Sequence, residues 1–315
     1  MALGDFDLDP TTADSVIALA DPRLRAETIT RLHGGDNSAV FDVRTRGGGA
    51  LVVKVYSDLF HWKMEKEVFV YGLLRGHALP APVPVVLAAD DSKTLLRQNV
   101  LVMTKLDGEN VLSLLDRLDD DELAHINRQI GAFLRSLHEV GFDRFGYVGT
   151  DGIVEPHDTN LAYMRFQFDK KLREFSDLGG EDELRRKMER HVAEREGLFA
   201  DCPRPSYCHN DCHYANVLVQ RGGWRTTGIV DFENVLAGDP LLDLAKTLCY
   251  SARRNETLLA ALVEGHGELR PDWREALDLY VLYHWLELWD WFASLGQTEA
   301  LNELADAMRV LAAEG

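Results

Sequence analysis

The sequence predicts an α+β protein with a small strand-rich lobe followed by a larger helical lobe, and three observations carry that expectation. Its 315 residues exceed what one hydrophobic core comfortably serves. Short β-branched runs punctuated by glycine and proline mark residues 26 to 106. Beyond residue 110, apolar positions recur at helical spacing instead.

Leu51-Val52-Val53-Lys54-Val55-Tyr56 is a short β-branched run preceded by the turn Gly47-Gly48-Gly49. Residues 61 to 75 mix charges with apolar Val68, Tyr71 and Leu74, which predicts a helix. Pro80, Pro82 and Pro84 interrupt the chain before two further expected strands, Val85-Val86-Leu87 and Asn99-Val100-Leu101-Val102-Met103. Asp107-Gly108 reads as a turn, so the first lobe is expected over residues 1 to 106 and the second over 107 to 315. In the second lobe, Leu123, Ile126, Ile130, Phe133, Leu134 and Leu137 place a helix over 120 to 139. Further helices are expected over 158 to 175 and 181 to 199, then a strand-rich stretch over 207 to 232, then helices from about 241.

The chain carries 52 acidic and 34 basic side chains, a formal charge of −18, with 46% hydrophobic residues. That hydrophobic share suits a folded globular protein. The acid excess opposes a nucleic-acid partner, whose phosphates need a basic face, and opposes docking on anionic membranes. It permits a cationic partner. The acidic start Met1-Ala2-Leu3-Gly4-Asp5 lacks the basic segment of a secretory signal and no apolar run reaches bilayer-spanning length, so a cytoplasmic protein is expected. Cys202, Cys208, Cys212 and Cys249 crowd into one part of a long chain, which is no disulfide scaffold.

The stretch richest in chemistry is Tyr207-Cys208-His209-Asn210-Asp211-Cys212-His213-Tyr214-Ala215-Asn216, followed by Gly228-Ile229-Val230-Asp231-Phe232-Glu233. One carboxylate can orient a hydroxyl nucleophile, while an amide oxygen and a second carboxylate can hold Mg²⁺ on nucleotide phosphates. Cys208, His209, Cys212 and His213 are also metal-ligand types, but Cys-x₃-Cys stands without a second pair at zinc spacing. A buried structural histidine at 209 and a turn aspartate at 211 are the plain alternative, which weakens beside the upstream residues. Lys54 interrupts an apolar strand, where an unpaired charge is costly, so anions are expected around it. Glu67 on the following helix is its candidate partner, with Glu65 as the rival. His33-Gly34-Gly35-Asp36-Asn37-Ser38 is a turn-rich loop whose backbone N–H groups and hydroxyl could cover phosphates. No Gly-x-x-x-x-Gly-Lys-Ser/Thr loop, Gly-x-Ser-x-Gly elbow or His-Glu-x-x-His motif occurs.

With His209-x-Asp211-x₄-Asn216, Asp231-Phe232-Glu233 and Gly238-Asp239-Pro240-Leu241-Leu242-Asp243 in view, the chain resembles the aminoglycoside phosphotransferase family from about residue 26 to its C-terminal helices. That resemblance implies a bilobal protein-kinase-like fold and transfer of the γ-phosphate of ATP or GTP, with Mg²⁺, to a hydroxyl of a small molecule. It implies Asp211 as the catalytic aspartate, Asn216 and Asp231 as metal ligands, and Lys54 on the phosphates, paired with Glu67. Asn37 and Ser38 would lie over the phosphates, Met103 at the back of the purine pocket, and Thr104 to Leu106 along the hinge. Asp239 would be a buried structural acid in the segment that buttresses the catalytic loop.

Two positions depart from the family pattern. Asn210 stands where glycine is usual, and asparagine tolerates a left-handed backbone better than most residues. Glu233 replaces a shorter residue, leaving metal support and substrate contact both open. For the acceptor, the aromatic segment Tyr280 to Phe292 places Tyr283, Glu287 and Asp290 near one helical face, with His213 and Glu233 as further contacts. Trp285, Leu288 and Phe292 are expected to be core. Val53 to Tyr56, Gly228 to Asp239, and His284 with Glu287 are most similar to actinomycete hygromycin-type phosphotransferases. An antibiotic acceptor, aminocyclitol or capuramycin-type nucleoside, is therefore expected, with inactivation of the drug as the consequence. A metabolite kinase of choline, homoserine or methylthioribose type, or a non-catalytic nucleotide-binding module, are the alternatives.

Overall fold

A computed structural model describes residues 6–34, 38–252 and 255–313. Helix α1 (Pro10–Ile17) precedes strands β1 (Ala26–Gly34), β2 (Ser38–Thr45) and β3 (Ala50–Tyr56), helix α2 (His61–Leu73), and strands β4 (Val86–Asp90), β5 (Asn99–Thr104) and β6 (Glu109–Asn110). Helix α3 (Asp120–Leu137), hairpin strands β7 (Phe145–Val148) and β8 (Ile153–His157), and helices α4 (Asn160–Asp177) and α5 (Asp182–Arg195) follow. Strands β9 (Ser206–Cys208), β10 (Val217–Gln220), β11 (Arg225–Ile229) and β12 (Leu236–Gly238) carry the chain to helices α6 (Leu241–Thr247), α7 (Glu256–His266), α8 (Trp273–Ser294) and α9 (Thr298–Leu311).

A five-stranded antiparallel sheet, in the order β1-β2-β3-β5-β4, forms the N-terminal region. The alternation of β3 decides what each face does. Leu51, Val53 and Val55 enter an apolar cluster on the outer face with Phe41, Val43, Val100 and Val102. Lys54 and Tyr56 therefore point to the other face, toward α2 and the helical region. Helix α1, unread in the sequence, closes the outer cluster with Ala13, Val16 and Ile17. Its start is signalled locally: Asp9 accepts from the N–H groups of Thr11 and Thr12, and Pro10 sits in the first turn. The segment is too short for its periodicity to stand out.

The helical region is built on a second, larger core. Tyr280, Leu282 and Leu286 of α8 are fully buried, and apolar residues surround that helix on every side, as a central helix requires. Residues 145 to 157, unassigned in the sequence reading, form the β7–β8 hairpin, which joins β12 and β9 in the order β8-β7-β12-β9. The expected helix over 181 to 199 ends at Arg195 and tightens into a 3₁₀ stretch, Glu196–Asp201. Val68, expected to face the core, is exposed, because α2 turns Met64, Glu67 and Tyr71 inward instead. Among the described residues, no helix is long and apolar enough to cross a membrane.

Candidate active site

The inward face of α2 presents Glu67 to β3. The Lys54 ammonium donates to Glu67 Oε1 at 2.6 Å, and the Tyr56 hydroxyl donates to the same oxygen at 2.7 Å. Glu65, the rival, is on the exposed side near His61. Burial acts to push the Lys54 ammonium down, but the Glu67 carboxylate, with Tyr56 and Asp231 adding, holds it well above its ordinary value. Lys54 also reaches Asp231 Oδ1 at 3.4 Å, across a sequence separation of 177 residues. The strand wall and the helical region thus meet at one cation.

Asp231 follows β11 in a left-handed conformation, φ 69°, which aspartate tolerates better than most residues. The N–H of Val230 donates to the Asn216 carbonyl at 3.0 Å, holding Asn216 beside Asp231. Asn216 Nδ2 donates to the Asp211 carbonyl at 2.9 Å and faces Asp211 Oδ2 at 3.4 Å, so its amide oxygen is turned away from Asp211. Carboxylate and amide oxygens are the hard donors that Mg²⁺ takes, and the Asp231 and Glu67 carboxylates lie within 4.8 Å of one another and of Glu233. One oxygen of Glu67, Oε2, is buried with no hydrogen-bond partner among the described residues. Asn216 and Asp231 fit the ion on donor chemistry. Cys208, His209, Cys212 and His213 form no such cluster; Cys208 donates to the Asp239 carbonyl and His209 binds a backbone carbonyl.

Asp211 sits between these groups and the helices. Asn234 Nδ2 donates to its Oδ2 at 3.2 Å, and His213 Nε2 is 3.4 Å from Oδ1. Burial pushes the Asp211 carboxyl up, but the His213 hydrogen bond and the Lys246 charge outweigh it, and the net value falls to about 2. Asp211 is therefore ionised throughout the neutral range. His209 beside it is neutral, because burial drives its value down. Its Nε2 faces the Val230 carbonyl at 3.1 Å and so donates, leaving Nδ1 to accept from the Asp211 N–H at 3.2 Å.

Asp243 fastens the loop. Its carboxylate accepts the N–H of His209 at 2.8 Å and of Asn210 at 2.6 Å, and bonds His138 Nε2 at 2.9 Å. Those bonds hold Asn210 at φ 58°. Asp239 is buried as expected, yet its carboxylate binds the Tyr280 hydroxyl, Arg270 and the Leu241 N–H rather than the catalytic loop. The sequence reading missed Asp243, although Asp239 and Asp243 share one motif at i, i+4 spacing.

Beyond Asp211, a cavity of about 430 Å³ opens between α2, the β7–β8 hairpin, α4 and α8. Tyr283 and Glu287 line it together with Asn210 and Asn234. Asp290 stands apart, ion-paired to Lys171 of α4. His213 contacts Asp211 and stacks on Tyr250, with rings 6.1 Å apart, rather than lining the cavity. Glu233 pairs with Lys63 of α2 at 2.9 Å, so it joins α2 to the segment after Asp231. Lys246, Gln167 and Asn234 escaped the sequence reading, because polar residues on helices and loops there read as a solvated face. Met103 is buried on β5, opposite Val52. Thr104 Oγ1 accepts the Val85 N–H at 2.9 Å, and Leu106 lies so close to Gly228 that a side-chain carbon there would come within 2.4 Å of it. Ser38 pairs with Tyr56 at the start of β2, and Asn37 lies outside the described residues.

An antiparallel sheet carrying a lysine–glutamate pair, packed on a helical region carrying Asp211, Asn216 and Asp231, defines a kinase-like fold of the bilobal α+β class. Residues 28–279 match the phosphotransferase enzyme family (APH), and the chain belongs to that family. It is accordingly a kinase-type phosphotransferase. Solved structures of similar fold include a thermostable mutant of aminoglycoside phosphotransferase APH(4)-Ia in ternary complex with ADP and hygromycin B, with a TM-score of 0.72, 18% identity, and coverage of 98% of this chain and 99% of that one. The GDP and kanamycin complex of APH(2")-IIia aligns at TM-score 0.68 and 15% identity, over 96% and 99% of the two chains. A putative fructosamine-3-kinase from Thermobifida fusca aligns at TM-score 0.70 and 22% identity, over 95% and 99%. At these identities the three describe a shared fold.

Proposed function

We propose that the protein transfers the γ-phosphoryl group of ATP or GTP to a hydroxyl of a small molecule held in the cavity beside Asp211. The observation that carries this reading is the ionised Asp211 carboxylate set between that cavity and the Lys54–Asp231 contact. Lys54 neutralises phosphate charge, and Glu67 and Tyr56 fix its ammonium in place. The purine lies against the Thr104 to Leu106 backbone with Met103 behind it, and Ser38, at the start of β2, covers the phosphates. Asn216 and Asp231 would hold magnesium, which would supply charge neutralisation of the phosphates when bound. Asp211 accepts a hydrogen bond from the acceptor hydroxyl and aligns its oxygen with the γ-phosphorus. The O–P bond forms as the bond from the γ-phosphorus to the β–γ bridging oxygen breaks. The hydroxyl proton passes to Asp211 late, and the nucleoside diphosphate leaves with the electron pair of the broken bond. With a carboxylate this acidic, positioning carries more of the catalysis than proton abstraction.

The acceptor in this reading is an antibiotic, hygromycin-like or a capuramycin-type nucleoside, which phosphorylation inactivates. A sugar-linked metabolite is the second reading, favoured by the fructosamine-kinase neighbour. Asp211→Asn is expected to lower phosphoryl transfer by about a thousandfold while Mg²⁺-nucleotide affinity stays within about threefold. Labelled-nucleotide transfer and calorimetric binding on the same preparation test it; near-wild-type transfer would remove Asp211 from the reaction.

A further inference from the structure

We infer that the acceptor is an uncharged polyhydroxylated ring, a glycoside or nucleoside rather than a polyamine, and that the Asn210 side chain binds one of its non-reacting hydroxyls. This rests on the function proposed above and narrows its acceptor.

The acids near the cavity are already matched. Glu287 receives the Lys246 ammonium at 3.2 Å and His284 Nδ1 at 2.6 Å. Burial pushes Glu287 up, but Lys246 and His284 outweigh it and hold the carboxyl far below its usual range. Lys171 bridges Asp290 and Glu174, the latter at 2.8 Å, and Lys170 stands 3.9 Å from Glu174. Glu233 is held by Lys63 at the α2 edge. At the exposed rim, Glu155 and Lys170 both line the cavity, so the lining carries two acids, Glu155 and Glu287, against two lysines, Lys170 and Lys171. A polyammonium ligand would have to compete with these lysines, and each exchange replaces one ion pair with another at a desolvation cost.

What the walls offer instead is aromatic and amide surface. Tyr147, Tyr163, Phe166 and Tyr283 line the cavity, and Trp62 stands at its α2 side. Trp62 and Phe166 remain 43% and 38% exposed, large apolar faces beside a polar pocket, which suit stacking on a sugar or base ring. Asn210 is 7% exposed and lines the cavity; its Nδ2 donates to the Asn234 carbonyl at 3.3 Å. Its Oδ1 is buried, and no described residue donates to it. An unfilled acceptor on a cavity-lining side chain is costly, and a ligand O–H that reaches it as the side chain turns toward the cavity would relieve that cost. The cavity volume of about 430 Å³ suits a ligand of one or two rings.

The test uses the full chain with Mg²⁺ and γ-labelled ATP and GTP, against uncharged glycosides and nucleosides on one side and kanamycin and hygromycin B on the other. Label is expected in the uncharged set, with kcat/KM for the polyamines lower by about tenfold or more. Equal or better transfer to the polyamines, or none to any uncharged member, overturns the acceptor class. Nucleotide binding and slow hydrolysis by the same enzyme separate the two levels: their loss sinks the proposed function, whereas their presence confines the failure to the acceptor. For Asn210→Gly, whose backbone conformation glycine adopts freely, the acceptor KM is expected to rise about tenfold while the nucleotide KM holds. An unchanged acceptor KM removes Asn210 from recognition. Lys246→Met uncovers Glu287 in the cavity wall, so kanamycin binding by calorimetry should tighten about tenfold; no gain shows that ion pairing is not what excludes polyamines.

Discussion

On the strand wall of the cleft, Lys54 faces Glu67 at 2.6 Å, whereas on the underside of α2, Lys66 finds, among the described residues, the Val235 carbonyl at 3.1 Å and the Tyr147 ring centroid 3.4 Å away. Both lysines are removed from water. Burial lowers Lys66 to about 7, with Glu233 holding it up only in part and Lys63 adding to the fall. The same burial fails to lower Lys54, because a carboxylate touches it. One carboxylate oxygen, rather than depth, decides whether a buried lysine keeps its proton. Lys54 is therefore a permanent cation in the cleft, while Lys66 ties α2 to the segment after Asp231 without serving as one.

The largest expected effect comes from breaking the strand-wall pair. Lys54→Met leaves Glu67 buried and uncompensated, which should cost about 3–5 kcal/mol in chemical denaturation and lower phosphoryl transfer about a thousandfold. Adding Glu67→Gln should recover most of that stability and none of the transfer. Recovery of both would mean that Lys54 only balances Glu67.

Asp243 comes next. Asp243→Asn replaces one acceptor oxygen with a donor, which then faces either the Asn210 N–H or the His209 N–H and His138 Nε2, and should cost about 3 kcal/mol. A lower kcat with little change in nucleotide KM would mark a loop set loose around Asp211; a change in nucleotide KM alone would count against that role.

The smallest effect is the pH signature of Lys66. Its folded value, about 7, lies below the ordinary 10.5, so between them the unfolded chain binds more protons and stability rises with pH. Lys54 and Lys246 have raised folded values, so their contributions stay fully present across that window. Lys66→Met should flatten the rise between pH 7 and 10 in denaturation midpoints relative to wild type. An unaltered slope would show that Lys66 is not the group responsible.

Much of the phosphate-side site was legible because its residues announce themselves locally. A lysine inside a β-branched strand is costly without a partner, and Glu67 lies 13 residues on, within one strand–helix unit. Asp211 and Asn216 share a loop, and Asp231 ends an apolar strand. The acceptor side was less legible. Helix α8 is apolar on all sides, so periodicity gives it no single face, and the assignments of Tyr283, Glu287 and Asp290 rested on spacing alone. Lys246, Lys171, His138 and Asn234 read as ordinary surface residues, because their partners come from other elements.

The sequence by itself determined a strand-rich region followed by a helical one, the lysine that needs an anion, and the spacing of two acids and an amide near one loop. These follow from local rules: alternation, helical period, turn residues and the cost of an unpaired charge. Tertiary packing alone decided that Asp243 rather than Asp239 grips the loop, that Lys246 balances Glu287 in the cavity wall while Lys171 balances Asp290 apart from it, and that Asn210 keeps an unfilled oxygen. Each depends on partners 33 to 119 residues apart. Their electrostatic consequence exists only once burial has removed the water that would otherwise screen them.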